Sequence, residues 1–141
     1  MPKKTYKLII RPPNKMRYPT TGDYYKTKSG WTIVGADLKN HDYNFLTLIH
    51  EFVELYLTQK RGISEPIIKK FDEWFEKERD GGHFKKLSGP GWHPKAPYRR
   101  EHLIACKVEK LLAKELEVNQ LKQGKTEDKI LKKIKNNFPS E

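Results

Sequence analysis

Phe45–Thr58, FLTLIHEFVELYLT, is the most apolar stretch of the chain and is long enough for about four helical turns. On a helix His50 and Glu54 lie one above the other at i, i+4, with Glu51 beside them. A metalloprotease helix uses that geometry: two ligands one turn apart, and a glutamate next to the first as general base. Here the second ligand position holds Glu54 where the usual zinc pattern has histidine. Glutamate is an acceptable zinc ligand, but HExxE is a looser pattern than HExxH. At about 100° per residue, Thr47, His50, Glu51, Glu54 and Thr58 share one stripe, and apolar residues cover the rest. One reading makes the stripe the solvated face of a core helix. The other follows from the largely apolar circumference: an enclosed helix whose polar stripe faces something other than open water.

The composition suits a single globular domain. The 141 residues are enough to bury a core, and three Trp, seven Tyr and six Phe argue against disorder. Cys106 is the sole cysteine, which excludes an internal disulfide and a cysteine-cluster zinc site. No apolar run has the length of a membrane span, and the start MPKKTYKLII lacks the apolar region of a signal peptide. A cytoplasmic protein with no membrane partner is the expectation. The net charge of +11 implies attraction to polyanions at low salt whatever the function.

Ahead of the central stretch, Thr5–Arg11 reads as a strand ended by Pro12-Pro13. Tyr24–Thr27 and Trp31–Val34 read as a hairpin around Lys28-Ser29-Gly30. Asp42 is the expected cap of the central helix, and Lys60-Arg61-Gly62 its end. Ser64-Glu65-Pro66 opens a second helix with Ile67, Ile68, Phe71, Trp74 and Phe75 on its apolar face and Asp72 at the edge, toward solvent. It stops at Arg79-Asp80-Gly81-Gly82. His83–Pro97 reads as a glycine- and proline-rich loop, ordered by Phe84 and Trp92, with His83 and His93 as surface histidines.

A third helix, Tyr98–Glu117, places Arg99, Lys107, Lys110, Lys114 and Glu117 on its solvent side. Opposite them lie Tyr98, His102, Ala105, Cys106, Glu109, Leu112, Ala113 and Leu116. His102 and Glu109, two turns apart among small and apolar residues, need partners, which a helix bearing His50 and Glu54 would supply. A packing role for such a histidine–carboxylate pair is the alternative. The tail, Thr126–Phe138, reads as a short basic amphipathic helix with Thr126 as its cap. The chain has no internal repeats, P-loop, GxGxxG or serine-nucleophile elbow.

Two blocks together carry a resemblance. The first is Arg17-Tyr18-x-Thr-Thr-Gly22-Asp23, followed by the His50-Glu51-x-x-Glu54 helix and Arg61-Gly62-Ile63. The second is Ala96-Pro97-Tyr98-Arg99-x-Glu101-His102-x-x-Ala105, running into Glu109-x-Leu111-Leu112-Ala113-x-Glu115-Leu116. Over most of residues 17–117 the chain resembles a family of small bacteriophage- and prophage-encoded proteins without an assigned function. That resemblance implies an origin, with the host cytoplasm as location, and no activity. The motif helix separately resembles the zincin metalloproteases, whose small members have a short sheet, a motif helix and a third ligand from a later helix. It implies His102 or Glu109 as that ligand.

The expected fold is therefore α+β and zincin-like: a small N-terminal antiparallel sheet followed by a bundle of three to four helices. Residues 1–117 form the domain, and 118–141 a basic helical appendage. The expected function is a metal-dependent hydrolase of peptide type. His50, Glu54, His102 and Glu109 serve the metal, and Glu51 is the base. Zinc leads, while two histidines and two carboxylates could equally hold iron or manganese. The partners are a peptide or protein substrate and, weakly, nucleic acid on the lysine-rich C-terminal helix. The alternative is a non-catalytic phage accessory protein that binds protein or nucleic acid, its His/Glu cluster structural.

Overall fold

Three short strands and four helices follow one another in the order the patterning implies. The structure, a computed structural model, describes residues 5–137. The strands are β1 (Thr5–Arg11), β2 (Gly22–Lys26) and β3 (Gly30–Ala36). The helices are α1 (His41–Lys60), α2 (Glu65–Asp80), α3 (Arg99–Glu115) and α4 (Gln120–Asn137), with single 3₁₀ turns at Pro13–Lys15 and Pro90–Trp92. The class is α+β, a small N-terminal sheet followed by helices. Phe138, read above as the last residue of the tail helix, lies outside the described residues.

The sheet order is β1-β3-β2. Trp31–Ala36 are all buried, Thr32 included, as suits the central strand of the sheet. β2 pairs with β3 antiparallel through the expected hairpin, where the Thr27 N–H donates to the Gly30 carbonyl at 2.7 Å. Gly30 meets the start of β1 so closely that a Cβ would stand 1.9 Å from the Thr5 carbonyl oxygen. The expectation of a wholly antiparallel sheet is corrected at β1, which runs parallel to β3. Residues 12–21 take the chain across one end of β3: the Asp37 N–H donates to Arg11 and the Ala36 N–H to Thr21. β2 then enters on the far side, running back. A ten-residue link is long enough for that crossing, and strand periodicity carries no information on direction.

Caps differ from the expectation in instructive ways. Asn40, not Asp42, caps α1, its Oδ1 accepting the Tyr43 N–H at 3.0 Å while Asp42 sits in the first turn. Ser64 precedes α2 with extended backbone but makes no side-chain cap bond. The last helix begins a full turn before Thr126, because Asn119 Oδ1 takes the N–H groups of Leu121 and Lys122. Thr126 instead bonds back to the Lys122 carbonyl from the helix interior. α1 does end as expected, with Gly62 at φ 77° and the Ile63 N–H donating to the Thr58 carbonyl. Asn40→Ala should lower stability by about 1 kcal/mol in urea unfolding, whereas Asp42→Ala should stay within a few tenths.

The chain divides into two compact units, one formed by residues up to Phe52 and from Val108 onward, the other by Val53–Lys107. In the first, Met16, Val34 and Ala36 form a core cluster against Ile9 and Tyr25. In the same unit α4 contacts the Pro13–Lys15 turn, and its Ile134 is fully buried. In the second, Ile68, Ala96 and Tyr98 cluster with Ile63 and Phe71. Phe84 stacks on the fully buried Phe75 at 5.2 Å, with planes 8° apart. His93 is not a surface residue: its ring lies 4.8 Å from Phe84 and its Nδ1 accepts the Lys95 N–H. A buried imidazole spending its lone pair on the backbone is a fold element, and it orders the loop alongside Phe84.

Candidate functional site

α1 turns its polar stripe inward. Glu54 and Thr58 are 6% and 0% exposed, while the aromatic Phe45 and Tyr56 are 43% and 52% exposed. Thr47 and Thr58 satisfy their hydroxyls on their own helix, at the carbonyls of Tyr43 and Leu55. His50, Glu51 and Glu54 instead reach other elements.

In the first unit, His50 Nδ1 lies 2.9 Å from Glu109 Oε1 of α3, an ion-pair contact whose angle falls short of an aligned hydrogen bond. The other Glu109 oxygen accepts the side-chain amides of Gln123 at 3.0 Å and Gln120 at 3.3 Å from α4. Gln123 also donates to Glu127 Oε1 at 3.0 Å, joining the two carboxylates. Burial, reinforced by the nearby Glu109 charge, pushes the Glu127 carboxyl up to about 7. Gln123, Glu127, Ile130 and Ile134 follow one another at i, i+4, i+7, i+11, the stripe that anchors α4. The i, i+4, i+7, i+11 spacing is itself legible in the sequence.

Glu51 meets the start of β2. A Cβ on Gly22 would stand 2.4 Å from Glu51 Oε1, so a larger residue there would displace the Glu51 carboxylate. The preceding segment is tied to hold that approach. Thr20 Oγ1 donates to the Gly22 carbonyl at 2.7 Å, and Arg17 grips the buried Asp23 with two bonds of 2.8 and 3.0 Å. The motif Arg17…Gly22-Asp23 therefore serves to position the strand beneath Glu51.

In the second unit, Glu54 Oε2 lies 3.0 Å from His102 Nδ1, and Cys106 Sγ lies 3.5 Å from His102 Nε2. Burial alone would lower the His102 imidazole, but the Cys106 and Glu54 partners outweigh it and hold it up at about 9. Trp92 stands edge-on to the ring with centroids 5.1 Å apart, and Gly91 packs where a Cβ would fall 2.4 Å from its Cγ. Neighbouring polar groups are also tied down. Arg61 binds Glu101 and the Pro97 carbonyl, and the Tyr98 hydroxyl donates to Asp72. Asp72 is thus not the solvent-facing residue the sequence suggested; burial pushes its carboxyl up to about 7, against the pull of the Tyr98 bond.

Each expected site histidine therefore meets a carboxylate, with partners exchanged relative to the simplest expectation. Glu109 serves His50, and Glu54 serves His102. Cys106 went unassigned in the sequence, although its i+4 spacing from His102 places it on the same face. Within the second unit, the His102 imidazole and the Cys106 thiol are side chains of the kind that ligate metals. Among the described residues, no helix is long and apolar enough to cross a membrane. Compared with protein-family models, curated proteins and solved structures, the chain matches none of them.

Proposed function

We propose that this protein is a metal-dependent hydrolase of zincin-like design acting on peptide or protein substrates, with Glu51 as general base. The observation that carries the proposal is the histidine–carboxylate hydrogen bond of His102 and Glu54, with the His50–Glu109 ion-pair contact beside it in kind. A carboxylate on Nδ1 of His102 would hold the proton there and leave Nε2 as the coordinating nitrogen, the arrangement that outer carboxylates give to metal-binding histidines. His50 and Glu54 are consecutive turns of α1, and His102 and Cys106 consecutive turns of α3. The His102 imidazole and the Cys106 thiolate are donors that suit zinc, with iron next and manganese least favoured once sulfur is included. In that set Glu54 and Glu109 act from behind the histidines, and Gln123 holds Glu109 in place.

A bound divalent ion supplies Lewis-acid polarisation and an acidified water. The chain's own contribution is a proton acceptor and a track for the substrate. Glu51, the second residue of the HExxE motif, would take a proton from the attacking water and pass it to the leaving amine. β2 ends the sheet, and its first residue packs against Glu51. A peptide pairing with β2 as a further strand would carry its backbone past that carboxylate.

The competing reading makes both pairs structural, supported by the way each buried charge already has its partner, and leaves a non-catalytic accessory protein. Elemental analysis of protein purified without a metal-affinity tag separates the two. One zinc per chain is expected, lost in His50→Ala, His102→Ala and Cys106→Ala and retained in Glu51→Gln. A metal-free protein that takes up no zinc on titration at neutral pH ends the hydrolase proposal. Retention of zinc by Cys106→Ala alone would return the third ligand position to Glu54.

A further inference from the structure

The outer face of α4 carries a run of cations that the proposed hydrolase does not use. Lys122, Lys125, Lys129, Lys132 and Lys133 are all exposed and fall within about 100° of arc. No acidic residue shares that arc, because Glu127 is turned inward onto Gln123 and Asp128 falls beside it. The five span about 16 Å of helix, five positive charges in about three turns. Lys125/Lys129 and Lys129/Lys133 are like-charge i, i+4 pairs, each destabilising by a few tenths of a kcal/mol. A helix face kept only for solubility alternates its charges and gains from them. This one is strained by its own charge until a polyanion neutralises it.

We infer that the lysine face of α4 is a docking surface for the phosphodiester backbone of double-stranded nucleic acid. Three observations select that occupant. The helix's apolar side is spent inside its own unit, where Ile134 is 1% exposed, so α4 has no apolar face to insert into a lipid surface. The arc carries no aromatic platform for unstacked bases, which single-strand binders use. It also lacks arginine and has only Asn136 among side chains that read base edges, so contact is with phosphates and independent of sequence. Duplex nucleic acid presents one negative charge per about 1.7 Å of axis, dense enough to meet all five lysines at once.

The test is fluorescence anisotropy of a short labelled DNA duplex of arbitrary sequence, titrated with the full chain across a salt series. Five phosphate contacts predict a slope near −4.5 in log K against log salt, so affinity should fall about 500-fold between about 50 and 200 mM salt. The triple variant Lys125→Gln, Lys129→Gln, Lys133→Gln should leave a fall of only about tenfold. A control of equal charge change on the other unit, Lys70→Gln, Lys77→Gln, Lys85→Gln, should keep the original slope. An RNA duplex should bind with the same slope. Equal effects of the two triple variants would reduce the site to net charge and overturn the inference. Binding to phosphatidylserine vesicles but not to duplex would overturn it in favour of a lipid surface. Zinc content is indifferent to all of these lysines, so the outcome is separate from that of the hydrolase proposal.

Discussion

Replacing His102 by alanine should destabilise the metal-free protein by about 3–5 kcal/mol near pH 6 and by much less well above pH 9. The imidazole and the Glu54 carboxylate meet at 3.0 Å with 13% and 8% of their side-chain surfaces exposed. Removing one member of such a pair leaves the other's charge buried opposite a void, which costs more than a surface pair ever contributes. The pH dependence follows from the direction of the shift. His102 titrates at about 9 in the folded protein against an ordinary 6.5, so the folded state holds its proton more tightly than the unfolded state. The stabilisation is fully present below about pH 6.5 and is lost as pH rises through about 9. Urea unfolding in the presence of a chelator, at several pH values, reads both magnitude and slope. A cost that is small at pH 6, or that grows with pH, would refute the ion pair. Asp72 and Glu127, both pushed up to about 7 by burial, slope the same way at lower pH, so stability should decline steadily from mildly acidic to alkaline conditions.

Phe75→Ala should cost about 3–5 kcal/mol, a large share of the total stability of a domain of this size. The ring is fully buried and stacked on Phe84, His93 lies edge-on to it at 6.2 Å, and the Arg79 guanidinium sits 5.3 Å from its centroid. Truncation removes the transfer free energy of the ring and leaves a cavity lined by groups that do not collapse readily. The loss should also fall on the glycine- and proline-rich loop before α3, whose order depends on Phe84 and His93 packing against this ring. Trp74→Ala is the control, because Trp74 is 42% exposed and its loss opens no enclosed cavity. Chemical denaturation gives the two costs, and limited proteolysis gives the loop's exposure. A Phe75→Ala cost below that of Trp74→Ala would show that the aromatic cluster is not a core.

Local pattern made the elements legible. A 3.6-residue period marked α1, α2 and α3, and Gly62 marked the end of the first. The β-rich run Trp31–Val34 marked the strand that became the sheet's centre, and the HExxE spacing singled out three polar side chains of α1 that reach other elements. Helix starts were less legible, since Asn40 and Asn119 compete with equally plausible caps nearby, and only backbone direction decides between them.

The sequence by itself determined the α+β class, the helical face on which His50, Glu51 and Glu54 stand, and the face of α3 that carries His102, Cys106 and Glu109. These depend on residue spacing along one element, which the chain writes directly. Tertiary structure decided which carboxylate serves which histidine, that Glu51 meets Gly22, that β1 runs parallel to β3, and that Gln123 of α4 supports Glu109. Those facts join residues 14 to 59 positions apart or, for β1 and β3, fix a strand's direction. Nothing in local periodicity encodes either, because the free energy that selects them comes from burying charges and backbone together, once the elements meet.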